Sequence, residues 1–193
     1  WKDPEPTLRY VVCMDSSQGV TDSSDFDVAT VLCVQPPYVE HVATWMGRVS
    51  QHEFAREGAN LAEYYNKALI VPEVVESSGG AVLMALTDII KYPHIYARED
   101  GSYGWKTTKW SKGPMIDAFK ESLDRDLFRT YDERVAAQMT TYEAHRTSAG
   151  ITKVGAPRGA YDDLLMTVMM GCKVLPEINR SKPRVVHYGR TKW

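Results

Sequence analysis

At 193 residues, 44% hydrophobic and 25% charged, the chain is long enough to bury one sizeable core and is most simply one domain. Twenty-three basic residues against 25 acidic ones leave a net charge of -2, which excludes a global pull toward nucleic acid while leaving room for a local basic groove. Cys13, Cys33 and Cys172 sit inside apolar runs without paired spacing, which excludes a zinc ribbon or disulfide framework and fits a reducing compartment, and no apolar run is long enough to cross a membrane.

In chain order, Trp1 opens a polar, proline-containing lead without an initiator methionine, as expected of a domain excised from a longer protein. Tyr10 to Asp15, Asp27 to Val34 and Tyr38 to Trp45 are rich in Val, Thr and aromatic residues between Ser/Asp/Gly and Pro-Pro punctuation, which predicts three strands in an antiparallel meander. Phe54, Gly58, Leu61, Ala62 and Tyr65 recur at helical spacing before a buried strand from Ala68 to Val75. A helix between two strands of one sheet implies a parallel crossover, which sets the ends of the first and fourth strands on the same sheet edge.

Gly79-Gly80 begins a helix through Ala81, Leu83, Leu86, Ile89 and Ile90, and a short strand is expected near His94 to Ala97. Arg98 to Lys109 reads as a hairpin, and Ser111 as the N-cap of a helix carrying Ile116, Phe119 and Leu123. Asp132 to Met139 is weakly helical, and Tyr142 to Val154 predicts a second hairpin around Ala149-Gly150. The last helix, Asp162 to Leu175, places Leu164, Leu165, Val168, Met169 and Cys172 on one face. Residues 1–178 are expected to fold together and 179–193 to form a basic tail. The sequon Asn179-Arg180-Ser181 is read as accidental, because no signal peptide precedes it.

Carboxylates mark the ends of these elements: Asp15 closes the first strand, Glu73 lies in an apolar run, and Asp162-Asp163 open the last helix. Carboxylates buried together repel one another and must be neutralised by cations or protons. A site of Asp and Glu without His or Cys suits hard Mg2+ or Mn2+, and the five histidines show no ligand pattern. Two such ions roughly 3.5–4 Å apart activate a water and stabilise the leaving oxygen of a phosphodiester.

Each residue also has a plainer reading. Asp15 can start an Asx-turn, and Asp162 can cap a helix while Asp163 complements its dipole. Glu73 is costly to bury unless paired or metal-bound, with Glu76 as the rival at the strand exit. Asp22, Asp25 and Asp27 read as a solvated turn, Asp25 being the best placed of them to face a metal. Lys106, Lys109 and Lys112, interleaved with Trp105 and Trp110, fit either a DNA groove or a solvated helix lead-in. The tail, with Lys182, Arg184 and Arg190, fits either phosphate contacts or a disordered end.

Taken in order, Asp15 with Asp25-Phe-Asp-Val-Ala-Thr-Val31, Leu69-Ile-Val-Pro-Glu73-Val-Val-Glu-Ser-Ser-Gly-Gly-Ala-Val-Leu83, Tyr103-Gly-Trp-Lys-Thr-Thr-Lys-Trp-Ser-Lys112 and Gly159-Ala-Tyr-Asp-Asp-Leu164 resemble the C-terminal nuclease domain of the large terminase subunit of tailed bacteriophages. The resemblance implies an α/β, RNase H-like fold, with a central mixed β-sheet (antiparallel meander plus parallel strands) flanked by helices. It implies a metal-dependent endonuclease that cuts concatemeric DNA at packaging initiation and termination. Asp15, Glu73, Asp162 and Asp163 then carry catalysis and hold two Mg2+ or Mn2+ ions with Asp25 nearby, while Lys106, Lys109, Lys112, Arg184 and Arg190 contact double-stranded DNA.

The implied partners are an N-terminal packaging ATPase domain, in keeping with the missing Gly-x4-Gly-Lys-Ser/Thr loop, and the portal and small terminase subunit. The implied location is the host bacterial cytoplasm. Two positions depart from the pattern: Val75 stands where Asn is frequent and Tyr161 where His is frequent. The alternatives are another RNase H-like nuclease, such as a junction resolvase or integrase, and a docking module of a motor that has lost catalysis.

Overall fold

A computed structural model describes residues 1–17, 25–74, 79–146, 152–157 and 160–180. Strands β1 (Arg9–Asp15), β2 (Asp27–Gln35) and β3 (Tyr38–Gly47) form the antiparallel meander expected of their β-branched runs. Helix α1 (Gln51–Tyr64), capped by the Ser50 hydroxyl, crosses over to β4 (Leu69–Pro72), which pairs parallel with β1 from Val11↔Leu69 to Met14↔Pro72. A strand that the sequence did not signal, β5 (Phe128–Thr130), pairs parallel with β3, giving the order β4-β1-β2-β3-β5. At three residues with one buried, it is too short to show a period.

Strand alternation builds two cores, one on each face of this sheet. Tyr10, Val12 and Met14 of β1 face α1 and the turn formed by α2 (Gly79–Met84) and a π-helical Ala85–Ile89. Val11 and Cys13 face α3 (Lys109–Asp124) and α5 (Asp163–Arg180), together with Leu69 and Val71 of β4. All five residues expected on the inward face of α5 are buried. Gly171 lets α5 lie against the sheet: a Cβ there would collide with the fully buried Leu32 side chain and stand 3.2 Å from Cys13 Sγ.

Several local expectations change. The region from His94 to Ala97 is not a regular strand but makes single bridges: Ile70↔Ile95 covers the outer edge of β4, and Ala97↔Tyr103 closes the following turn on itself. Thr108, not Ser111, caps α3. Its hydroxyl accepts from the Trp110 and Ser111 N–H groups, while the Ser111 hydroxyl accepts from the Thr108 N–H in a reciprocal box. Helix α4 (Glu133–Thr141) starts at its Asp132 cap, and β6 (Glu143–Arg146) with β7 (Thr152–Gly155) forms the second hairpin. Helix α5 continues past Leu175 through Pro176 to Arg180.

Candidate metal centre

The same alternation that sends Cys13 and Val71 toward α5 sends Asp15 and Glu73 there as well. The Glu73 N–H donates to Met14 O at 2.7 Å, so the two strands deliver their carboxylates side by side at one sheet edge. Glu73 is held from the other side by a parallel bridge to Trp105, with the Trp105 N–H donating to Pro72 O at 2.8 Å. Gly104, at φ +79, makes the turn that brings Trp105 in, and a Cβ there would collide with the Val74 side chain and approach Pro72 O at 2.9 Å. Glu73 is only 9% exposed.

Burial, then the neighbouring Glu73 carboxylate, then Asp163 and Asp162 push Asp15 well above the usual carboxylate range. Asp163, in the first turn of α5, is pushed up to about 7 by burial first, then by the charges of Asp25, Asp162 and Glu73. Its Oδ2 is buried and has no hydrogen-bond partner. Asp162 does not cap α5: its Oδ2 accepts from the Ala156 N–H at 3.1 Å, six residues back. Asp15 and Glu73 line one small void together with Thr107, Met115, Met166 and Met170, and the charges of Asp162, Asp163 and Asp25 bear on the same corner.

Among the described residues, no three His, Cys, Asp or Glu side chains stand close enough to form a ready-made cation cage. The donor set still fits a hard divalent cation. It is made of carboxylate oxygens alone, one of them an orphaned buried acceptor, and no cationic side chain is among the causes that shift Asp15 or Asp163.

Of the expected basic residues, Lys112 reaches this site. Its Nζ lies 5.7 Å from the Tyr142 ring centroid and 3.8 Å from where a Gly155 Cβ would stand, a point itself 3.1 Å from Asp162 Oδ2. Lys106 is exposed before α3, and Lys109 is the first residue of that helix. Trp105 is buried in the core and does not line a groove, whereas Trp110 is 79% exposed. Asp27 is a correction: it is not solvated but fully buried, accepting from the Ser17 N–H at 2.9 Å and the Val49 N–H at 3.3 Å, so it pins the segment that follows Asp15. Asp22, Val75, Glu76, Lys182, Arg184 and Arg190 lie outside the described residues.

Residues that the sequence did not single out complete the surroundings. The Arg48 guanidinium lies 3.7 Å from the Phe26 ring centroid, and Phe26 packs edge-on against Tyr161 at 5.9 Å, beside Asp25 and Asp162. Gln138 of α4 accepts from the Leu165 N–H at 2.7 Å. Arg48 and Gln138 carry no sequence motif, because each acts through a partner distant in the chain. A larger cleft, of about 570 Å³, lies at the opposite sheet edge between Trp1, His41, Tyr131 and Arg134. His41, Thr44, Asp132 and Arg134 there are tied into one hydrogen-bonded network with Thr130, so chemistry and not volume selects the acidic site.

No family model and no curated protein sequence matches the chain. Solved structures do. The large terminase nuclease from thermophilic phage G20c with bound magnesium superposes with a TM-score of 0.70 at 15% identity, covering 89% of this chain and 84% of that one. A longer large terminase, from another thermophilic bacteriophage, gives 0.62 at 12% identity, covering 90% of this chain and 41% of that one. The human cytomegalovirus terminase nuclease domain, manganese-soaked and inhibitor-bound, gives 0.58 at 11% identity, covering 88% and 82%. The chain thus has the RNase H-like fold of these nuclease domains.

Proposed function

We propose that this chain is the nuclease domain of a viral large terminase subunit, an endonuclease that hydrolyses DNA phosphodiesters with two divalent cations, Mg2+ or Mn2+. The observation that carries the reading is the convergence of Asp15, Glu73, Asp162 and Asp163 at one sheet edge, where burial and one another's charge hold Asp15 and Asp163 above their ordinary range. The fold match to a terminase nuclease holding magnesium supports it. Asp15 and one of the paired Asp residues would hold or bridge the cations, and Glu73 would hold the second. Bound there, the cations supply an activated water and charge neutralisation at the leaving oxygen.

The chain's own residues do the positioning. Pairing of β1 with β4 and the Trp105 bridge fix Asp15 and Glu73, while the Ala156 N–H orients Asp162. Lys112, beside Asp162, would steer the scissile phosphate. Lys106, Lys109 and the tail residues Arg184 and Arg190 would extend that contact along double-stranded DNA, largely without regard to sequence, since phosphate contacts carry no base information.

In this reading the domain is joined to an N-terminal packaging ATPase, as the match to part of the longer thermophilic-phage terminase suggests. It acts with the portal and small terminase subunit in the host bacterial cytoplasm and cuts concatemeric DNA when packaging starts and ends. Among the described residues, no helix is long and apolar enough to cross a membrane. The test is a plasmid assay: this chain is expected to nick or linearise supercoiled DNA with Mn2+ or Mg2+ and to stop in excess EDTA. Undiminished cleavage in EDTA would overturn the reading.

A further inference from the structure

We infer that Gln138 is a positioning residue for the acidic centre: it caps α5 from a neighbouring helix and so releases Asp162 to face the site. The inference rests on the reading of that centre as a metal site. A residue immediately before a helix ordinarily turns its side chain back to accept from the N–H two or three positions on, and Asp is among the residues that do so best. Asp162 occupies that position before α5. The N–H it would satisfy, that of Leu165, is instead bonded to Gln138 Oε1 at 2.7 Å. Leu165 is 1% exposed, so water cannot replace that acceptor.

With its helix already capped, the Asp162 carboxylate turns the other way, to the Ala156 N–H at 3.1 Å beside Asp163 and Lys112. Helix α4 can supply the acceptor because Val135, Gln138 and Met139 share one face at i, i+3 and i+4, and Val135 and Met139 pack into the core with α5. Without Gln138, the buried Leu165 N–H would be left with Asp162 as its nearest acceptor by chain position. Capping and cation binding would then compete for one carboxylate.

The test uses Gln138→Leu, which keeps the bulk and removes the acceptor, Gln138→Glu, which keeps an acceptor, and both combined with Asp162→Ala. By calorimetry, Gln138→Leu is expected to weaken Mn2+ binding about tenfold, the usual size for a residue that orients a ligand. Gln138→Glu should stay within about threefold of wild type, and Gln138→Leu should add nothing in the Asp162→Ala background. Equal Mn2+ affinity in wild type and Gln138→Leu, or an equal loss with and without Asp162, would overturn the inference.

A metal-free arm separates this from the metal reading. In EDTA, Asp162→Ala should lower the melting temperature by about 2–4 °C more in the Gln138→Leu background than in wild type, because Asp162 has become the cap there. Should wild type bind no Mn2+ while this coupling appears, the metal reading falls and the capping relay stands. Absence of the coupling overturns the relay whatever the metal does.

Discussion

The two edges of the sheet hold their acidic groups in opposite ways. At the β3–β5 edge, Asp132 accepts from the Thr44 hydroxyl and pairs with Arg134 through both carboxylate oxygens at 2.7 and 2.8 Å, while His41 bonds to Thr130 and Thr44. Hydrogen bonding to Arg134 pulls Asp132 down to about 2, and burial pushes His41 below its ordinary value, so both keep a fixed charge state near neutrality. At the β4–β1 edge, Asp15 and Asp163 meet burial and further carboxylates and are driven up. A buried acid whose partner is supplied by the chain serves the fold; one left to find a partner costs stability and marks a site for something from solution.

The largest test of this contrast is a pair of substitutions. Asp15→Asn should reduce cleavage by roughly 1,000-fold or more, as when one member of a concerted catalytic unit is lost, while leaving the metal-free melting temperature unchanged or higher. Asp132→Ala should do the reverse, costing about 2 kcal/mol for a lost cap and charged hydrogen bonds, roughly 4–8 °C, with cleavage retained. Melting curves in EDTA beside a plasmid assay read both, and a large loss of stability in Asp15→Asn would turn it into a structural cap.

Next in size is the fourth-strand ligand. Glu73 lies on the face of Val71, toward α5, so Glu73→Gln should weaken Mn2+ binding about 10- to 100-fold and Glu76→Gln hardly at all. Calorimetry showing loss only in the Glu76 variant would move the acidic edge beyond the end of β4.

Proton linkage should separate the two edges by a few degrees. The folded, metal-free protein holds a proton on Asp163 up to about pH 7, which the unfolded chain releases near 3.8, so stability at this edge falls as pH rises from about 4 to 7 and then levels. Asp132 has the opposite sign: its contribution is present above 3.8 and is lost as pH falls toward 2. Melting from pH 3 to 8 in EDTA should show the first slope flattened by Asp163→Asn and the second by Asp132→Asn. An unaltered profile in Asp163→Asn would place the raised titration elsewhere. The smallest effect is on DNA: each phosphate contact contributes a log-log salt slope of about -0.9, so removing charge at Lys109 and Lys112 together should flatten it by up to about 2. An unchanged slope would return that segment to a solvated helix start.

Much of this frame was legible in the chain because it depends on local periodicity. The meander, the α1 crossover and the buried face of α5 follow from spacing alone, and they place Asp15 beside Glu73. What escaped depends on partners distant in sequence. Strand β5 exists because β3 offers it an edge, Trp105 is buried because Gly104 turns it onto Glu73, and Asp27 is internal because the Val49 and Ser17 amides need an acceptor. Ser111 was one turn-position out because a capping box uses two hydroxyls, and sequence alone does not say which comes first.

Gly171 gives α5 a pivot. Eight residues, about 12 Å at ~1.5 Å per residue, separate it from Asp163, so the helix works as a lever with its fulcrum on Leu32 and its free arm at the acidic edge. A methyl group at the fulcrum cannot be absorbed by Leu32, which has no exposed surface to move into, and the helix must lift or tilt. A tilt of about 5° displaces the far end by about 1 Å, a misplacement that costs on the order of 100-fold in rate when reacting groups must align. Gly171→Ala is thus a change buried in the core, touching none of the carboxylates, whose consequence is read at the other end of the arm.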